Sequence, residues 1–287
     1  MKKTFLTLAI GLGITYSSLA QKEVKFEMKF SPNTVYTSTL VSHTSTEMDF
    51  EADSAQMAQM KAGGMELPMM IKGEQKVIST TRTGSPNEDK EFQFTTSYDD
   101  FQISQTLNGK TMNPPSNLLA GTKTYGNVQA DGKIHTDSIS GPNLPEEMKS
   151  AIVKMTEEVF EKIKFPEEPM KVGDEFSQEL PINLPIPGIP STQMKSNTHY
   201  KLMDIKKGMA YFDIDQKIDM NMGMPEKGAL SMNGTGTGKA IYNIKMAFLV
   251  KYDVDMQMEM NMDIEKMKMM GKIDSNTKME IAISPNE

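Results

Sequence analysis

From Leu249 to Ile264 apolar and polar residues alternate almost without a break. Val250, Tyr252, Val254, Met256, Met258, Met260, Met262 and Ile264 share one side of an extended chain, and Leu249, Lys251, Asp253, Asp255, Gln257, Glu259, Asn261 and Asp263 share the other. A period of two puts neighbouring side chains on opposite faces, so the stretch predicts a β-strand with one apolar and one charged face. Phe212, Ile214, Ile218, Met220, Met222 and Met224 repeat the device against Tyr211, Asp213, Asp215, Lys217, Asp219 and Asn221. Lys206-Lys207-Gly208 before them reads as a hairpin turn, and Met279, Ile281 and Ile283 predict a final strand. Sixteen extended residues cover roughly 50 Å, far beyond a typical strand, so the sheet must curl, bend at bulges, or both.

The first part of the chain carries the same signal more weakly. Val24, Phe26, Met28 and Phe30 alternate with Lys25, Glu27 and Lys29 and predict a strand. Further strands are expected at Thr34–Ser45, Gln75–Thr83, Glu91–Tyr98 and Phe101–Leu107, with turns at Asp99-Asp100 and Asn108-Gly109. Residues 51–74 break the pattern. Ala55 to Lys61 favours a short helix stopped by Gly63-Gly64, which reads as an insertion between strands. At 142–165 Met148, Ile152, Met155, Val159, Phe160 and Ile163 fall at helical spacing, with Asn143 and Glu146 placed as a capping box. Residues 166–192 are rich in proline and are expected to be an extended connector. The resulting organisation is a leader at 1–20, a β half at 21–141, a central amphipathic helix at 142–165, the connector, and a second β half at 193–287. The fold class is mainly β: long curved antiparallel sheets, half-barrel or sandwich-like, with one helix.

Lys2 and Lys3, the apolar run Phe5 to Ile14 and the ending Ser18-Leu19-Ala20 describe a cleaved secretory signal, with the mature chain starting near Gln21. The expected address is the periplasm or the extracellular space. The apolar run is too short to span a bilayer comfortably, and no later run approaches the length of a spanning helix. The net charge of −7 becomes −9 once Lys2 and Lys3 leave, which disfavours a nucleic-acid partner. Cysteine is absent, so an exported chain of this kind holds itself together by burial alone.

Leu19-Ala20-Gln21, the two β halves and the segment Phe165-Pro-x-x-Pro…Val172-Gly-Asp-x-Phe176 resemble an uncharacterised family of secreted Gram-negative envelope proteins, a domain of unknown function. In that family the aromatic after Val-Gly-Asp is often tryptophan, where this chain has Phe176. The architecture is also similar to curved half-barrel carriers of lipids and lipoproteins in the periplasm.

Chemistry enters through methionine, with 28 residues. Its flexible thioether packs irregular interiors and repacks around ligands of different shape. The expected function is that of a non-enzymatic exported protein, without cofactor. Its partner is a lipid-like or other apolar small molecule held in a β cavity. The expected lining is Phe212, Ile214, Ile218, Met220, Met222, Tyr252, Val254, Met256, Met258 and Met260. Thioether sulfur is also a soft donor, so the alternative is periplasmic Cu(I) or Ag(I) binding by Met256, Met258, Met260 and Met262, with Met57-x-x-Met60 and Met220-x-Met222-x-Met224 as similar runs. Members of one run are about 6.6 Å apart, so they need a neighbouring strand to converge on an ion. A third reading is an outer-membrane barrel whose acidic face lines a pore, but aromatic girdles are missing. His43, His135 and His199 lack metal-ligand spacing. Gly234-Thr-Gly236-Thr-Gly238-Lys239 imitates a phosphate loop, yet Asn233 and Ala240 break the motif, and a bulged glycine-rich strand is expected instead. No nucleophile elbow occurs. Asp53-Ser54-Ala55 and Asp137-Ser138-Ile139 resemble short bacterial O-glycosylation acceptors.

Overall fold

A computed structural model describes residues 23–112, 119–141, 144, 149–150, 153, 157, 164–184, 192–224, 228–264 and 267–286; the side chains at 181–184, 192–193, 222–224 and 264 are not included. The strands are β1 (Thr34–Glu51), β2 (Met69–Thr83), β3 (Phe92–Leu107), β4 (Lys110–Met112), β5 (Lys123–Val128), β6 (Ile134–Ser140), β7 (Glu175–Leu184), β8 (Thr192–Lys206), β9 (Met209–Met224), β10 (Gly228–Asn243), β11 (Phe248–Ile264) and β12 (Met267–Pro285). Helix α1 (Ser54–Ala62) lies between β1 and β2. All belong to one antiparallel sheet in the order β6-β5-β3-β2-β1-β12-β11-β10-β9-β8-β7, with β4 on the flank of β3. The mainly-β class with long curved strands is therefore correct, and one sheet runs through both β-rich parts of the chain. Its seam is the ladder between β1 and β12, from Thr34–Pro285 to Glu51–Lys268.

Local chemistry explains the hairpins. Asn108 and Gly109 have φ of 47° and 77°, and Lys207 and Gly208 have φ of 51° and 76°. Two successive positive φ values turn the chain with the hand that matches strand twist. In α1 the Asp53 carboxylate accepts from the Gln56 amide at 2.8 Å, and no residue of this helix is buried. Of the expected helix at 142–165, Lys149, Ser150, Val153 and Glu157 are helical; its apolar stripe and capping box lie outside the described residues. The segment expected as a connector contains β7, where Pro181 sits on an edge strand, the place in a sheet where a missing amide is tolerated.

Four sequence expectations are corrected. Val24 to Phe30 is not a sheet strand. It is an extended strap across one end of the sheet, tied by the Val24–Met170 bridge and by the Lys29 amide to the Ala247 carbonyl. Alternation survives because the strap also has one buried side. Asp99-Asp100 is not a turn: β3 continues through it, and the extra residue is absorbed as a bulge where Ile78 faces Asp100 and Ser79 faces Tyr98. The glycines of β10 sit in regular ladder; the bulge of that strand falls between Ile241 and Tyr242. It leaves Tyr242 opposite Leu249, and Leu249 packs against the apolar cluster instead of joining the polar face.

The polar face is written as rows of opposite charge. Pairing runs Glu175–Lys201–Asp213–Lys239–Asp253–Lys278 across β7 to β12. Lys201 and Glu175 lie 2.8 Å apart, Lys251 and Glu280 2.7 Å, and each lysine holds its carboxylate below the ordinary range through that hydrogen bond. Exposed pairs of this kind contribute little to stability, because solvent screens them. Their larger role is register. A two-residue slip of β11 against β12 would oppose Lys251 to Lys278 and Asp255 to Asp274, and like charges directly opposite destabilise a sheet. Asp253→Lys sets three lysines in one row. It is expected to cost about 1 kcal/mol at low salt and to recover in high salt, read as melting temperature at two ionic strengths.

Candidate functional site

The apolar face divides into three tiers along the strands. The first is an aromatic plug at the end crossed by the strap. Phe26 lies against Tyr242 (5.1 Å between ring centres), Phe212 (5.3 Å) and Phe165 (5.9 Å). Phe30 continues it to Tyr36 (4.9 Å) and Phe248 (5.4 Å). Tyr242 is 1% exposed, and its hydroxyl donates to the Glu27 carbonyl of the strap. Burial pushes the Tyr242 and Tyr200 phenols up to about 12 each. Leu202, Phe212, Ile214, Ala240, Val254 and Met256 are all buried in this cluster.

The second tier is a polar belt. Gln178, Ser196 and Thr198 are buried on β7 and β8. The Tyr252 hydroxyl of β11 donates to Gln216 Oε1 of β9 at 3.1 Å, and Gln216 Nε2 donates to Ser196 Oγ at 2.8 Å. Burial, with Tyr200 close by, raises the Tyr252 phenol, and the Gln216 bond partly offsets this. Tyr252 reaches two strands across because β10 offers only Gly236 and Gly238 between them. Those glycines are required. A Cβ on Gly238 would overlap the Asp253 carbonyl oxygen and Val254 Cγ2, one on Gly236 the Met256 sulfur, and one on Gly234 Met258 Cγ.

The third tier is methionine and isoleucine. One cross-strand row reads Met220–Met232–Met260–Gly271–Met48–Met69, and the row beside it contains Met258–Ile273. Met220 is buried, whereas Met48, Met69, Met232, Met258, Met260 and Ile273 are half-buried. Leu40, Val77, Phe101 and Met279 form a half-buried row outside this tier, level with Tyr252 and separated from Met48 and Gly271 by Ser42, Thr44, Ser275 and Thr277 on the same face.

The residues expected as a lining are therefore split. Phe212, Ile214, Val254 and Met256 are packed inside the plug cluster. Ile218, Tyr252 and Met258 flank it, Met220 and Met260 belong to the methionine row, and the Met222 side chain lies outside the described residues. The methionines of the run Met256, Met258, Met260 and Met262 share one face, but the described contacts of the first three go to two different strands. Met256 and Met258 fold over glycines of β10, while Met260 leans over Gly271 of β12. The row from Met69 to Met220 was missed by sequence reasoning, because it depends on register across six strands.

The polar face also has relief. A trough of about 1100 Å³ is lined by Asp213, Asp215, Lys239, Lys251, Asp253 and Lys278 among others. Its charges are largely partnered within the rows described above, and among the described residues no group of three or more histidine or carboxylate side chains is placed to hold a metal ion. His199 lies 3.3 Å from Glu175, and His43 3.5 Å from Glu74. No helix among the described residues is long and apolar enough to cross a membrane.

No family model matches the chain, and no curated protein does. Among solved structures, one of lipid–protein interactions in lipovitellin shares 11% identity at a TM-score of 0.47, covering 90% of this chain and 26% of that one. The chain thus spans about a quarter of lipovitellin. An engineered protein studied for asymmetric conductivity has 6% identity and a TM-score of 0.26, with coverages of 86% and 100%. The translocator domain of the autotransporter NalP from Neisseria meningitidis has 8% and 0.20, with coverages of 86% and 88%. Likenesses this distant carry no argument about ligand or activity.

Proposed function

We propose that this protein is a non-enzymatic exported carrier, which takes a lipid-like or comparable apolar ligand onto the methionine and isoleucine tier of its sheet. The observation that carries the reading is the contrast between the two ends of one apolar face. At the plug end aromatic rings pack over the face, with Phe26, Phe212 and Tyr242 buried. Beyond the polar belt, Met48, Met69, Met232, Met260 and Ile273 continue the same face half-buried, and they belong to neither packed cluster of the described residues. A contiguous apolar surface of this kind marks a place where something apolar docks. Methionine suits the task, since its three rotatable bonds let one surface fit chains of different shape. The plug sets the inner limit of the site, and the Gln216–Tyr252 belt satisfies the polar groups at that limit.

The test is titration of the lipid-free protein with cis-parinaric acid, followed by its fluorescence. Saturable binding is expected, and Ile273→Glu, which sets a charge in the tier, is expected to weaken it by about tenfold or more. No saturable binding by a folded protein, or equal binding by the variant, overturns the proposal.

A further inference from the structure

We infer that Gly271 is the floor of a soft-metal site, in which Met48, Met260 and Met269 ligate one Cu(I) or Ag(I) ion. Gly271 of β12 pairs with Met260 of β11 on one side and with Met48 of β1 on the other, so all three share the apolar face. Met269 stands two residues before Gly271 on the same strand and hence on the same face. The missing side chain at 271 leaves a gap ringed by three thioethers. Met260 already leans into it: its Cε lies 3.2 Å from where a Cβ on Gly271 would stand. Met48 and Met260 each stand about 4.5–5.5 Å from Gly271, on opposite sides of it and about 10 Å from each other, and Met269 stands about 6.6 Å along the strand. Three unbranched side chains at those spacings bring their sulfurs together above one point with ordinary rotamer changes.

The donor set decides the ion. Three neutral thioethers favour a soft monovalent cation and offer nothing to calcium, magnesium or zinc. Gly271 is buried, while Met48, Met260 and Met269 are half-buried, so the ion has an approach and its surroundings remain largely apolar. Each methionine supplies one ligand from a different strand or a different turn of the pleat. The site therefore exists only when β1, β12 and β11 are paired in register, and a single Met-x-Met strand does not build it.

The experiment is anaerobic titration of the full chain with Cu(I) in competition with bicinchoninate. The wild type is expected to withdraw one Cu(I) per chain from the chelator. Met48→Leu/Met260→Leu/Met269→Leu is expected to bind about 100-fold more weakly or worse, and Met220→Leu/Met232→Leu to bind as the wild type does. Leucine for methionine conserves volume, so both variants should fold, checked by far-UV circular dichroism. If the triple variant fails to fold, Gly271→Ala replaces it: the added Cβ displaces Met260 Cε and should weaken binding at least about tenfold. Copper left with the chelator by the wild type, or wild-type affinity in the triple variant or, in its place, in Gly271→Ala, overturns the inference. The cis-parinaric acid titration is read separately, so either proposal fails without the other.

Discussion

Phe26→Ala is expected to lower the stability of the protein by about 3–5 kcal/mol, measured by urea unfolding. Phe26 is 3% exposed and touches rings from three separated parts of the chain: Phe165, Phe212 and Tyr242. The strap that carries it makes one isolated bridge and few other backbone bonds, so its position depends on this ring. Loss of the ring removes the transfer free energy and leaves a void that a pleated sheet cannot collapse into, since its strands are fixed by ladders on both sides. Lys25→Ala, an exposed neighbour on the strap, is the control and should change stability by under about 0.5 kcal/mol. A Phe26→Ala loss below about 1 kcal/mol would show that the strap merely lies on the sheet.

Gly238→Val is expected to do more damage and to prevent a folded sheet from accumulating. The new Cβ would overlap the carbonyl oxygen of Asp253 and come within 2.8 Å of Val254 Cα. Both are backbone or adjacent to it, so no rotamer change relieves the contact, and the overlap exceeds the side-chain strain that ordinarily costs about 1–3 kcal/mol. Trimming the partner side chain in Gly238→Val/Val254→Ala should therefore not restore folding. Recovery of the native circular dichroism spectrum in that double variant would mean that side-chain crowding alone explains the glycine. Gly271 differs in kind: its crowding neighbour at 3.2 Å is the flexible end of Met260, so Gly271→Ala should fold.

Much of the architecture was legible because period-two patterning is a direct physical consequence of extended backbone. The alternation in β9 and β11 located two strands and their apolar faces, and Lys207-Gly208 and Asn108-Gly109 located hairpins through their positive φ. What failed was whatever depends on a third element. The strap at Val24 to Phe30 has a strand's alternation, yet it lies across the strand ends and pairs with almost nothing. Asp99-Asp100 carries turn residues, but a bulge uses the same tolerance of irregular backbone. The two short strands β5 and β6 were not foreseen, since Lys123–Val128 and Ile134–Ser140 hold few apolar residues. The candidate site was legible as composition and not as geometry. Sequence marked methionines along strands, whereas the row that matters runs across them, and register cannot be read from one strand at a time.

The ladder joining β1 to β12 sets a schedule for folding. Thr34 finds its partner only when Pro285 is available, so the chain from Thr34 to Pro285 must be present before the centre of the sheet closes. Until then β1 and β11 each present a long unpaired edge with one apolar side, the arrangement most prone to pairing with a foreign strand. Contacts so distant in sequence form slowly. A chain that emerges progressively from its N-terminus therefore spends the interval before β12 arrives in its most vulnerable form, and a companion that shields free strand edges would act in that interval and be redundant afterwards.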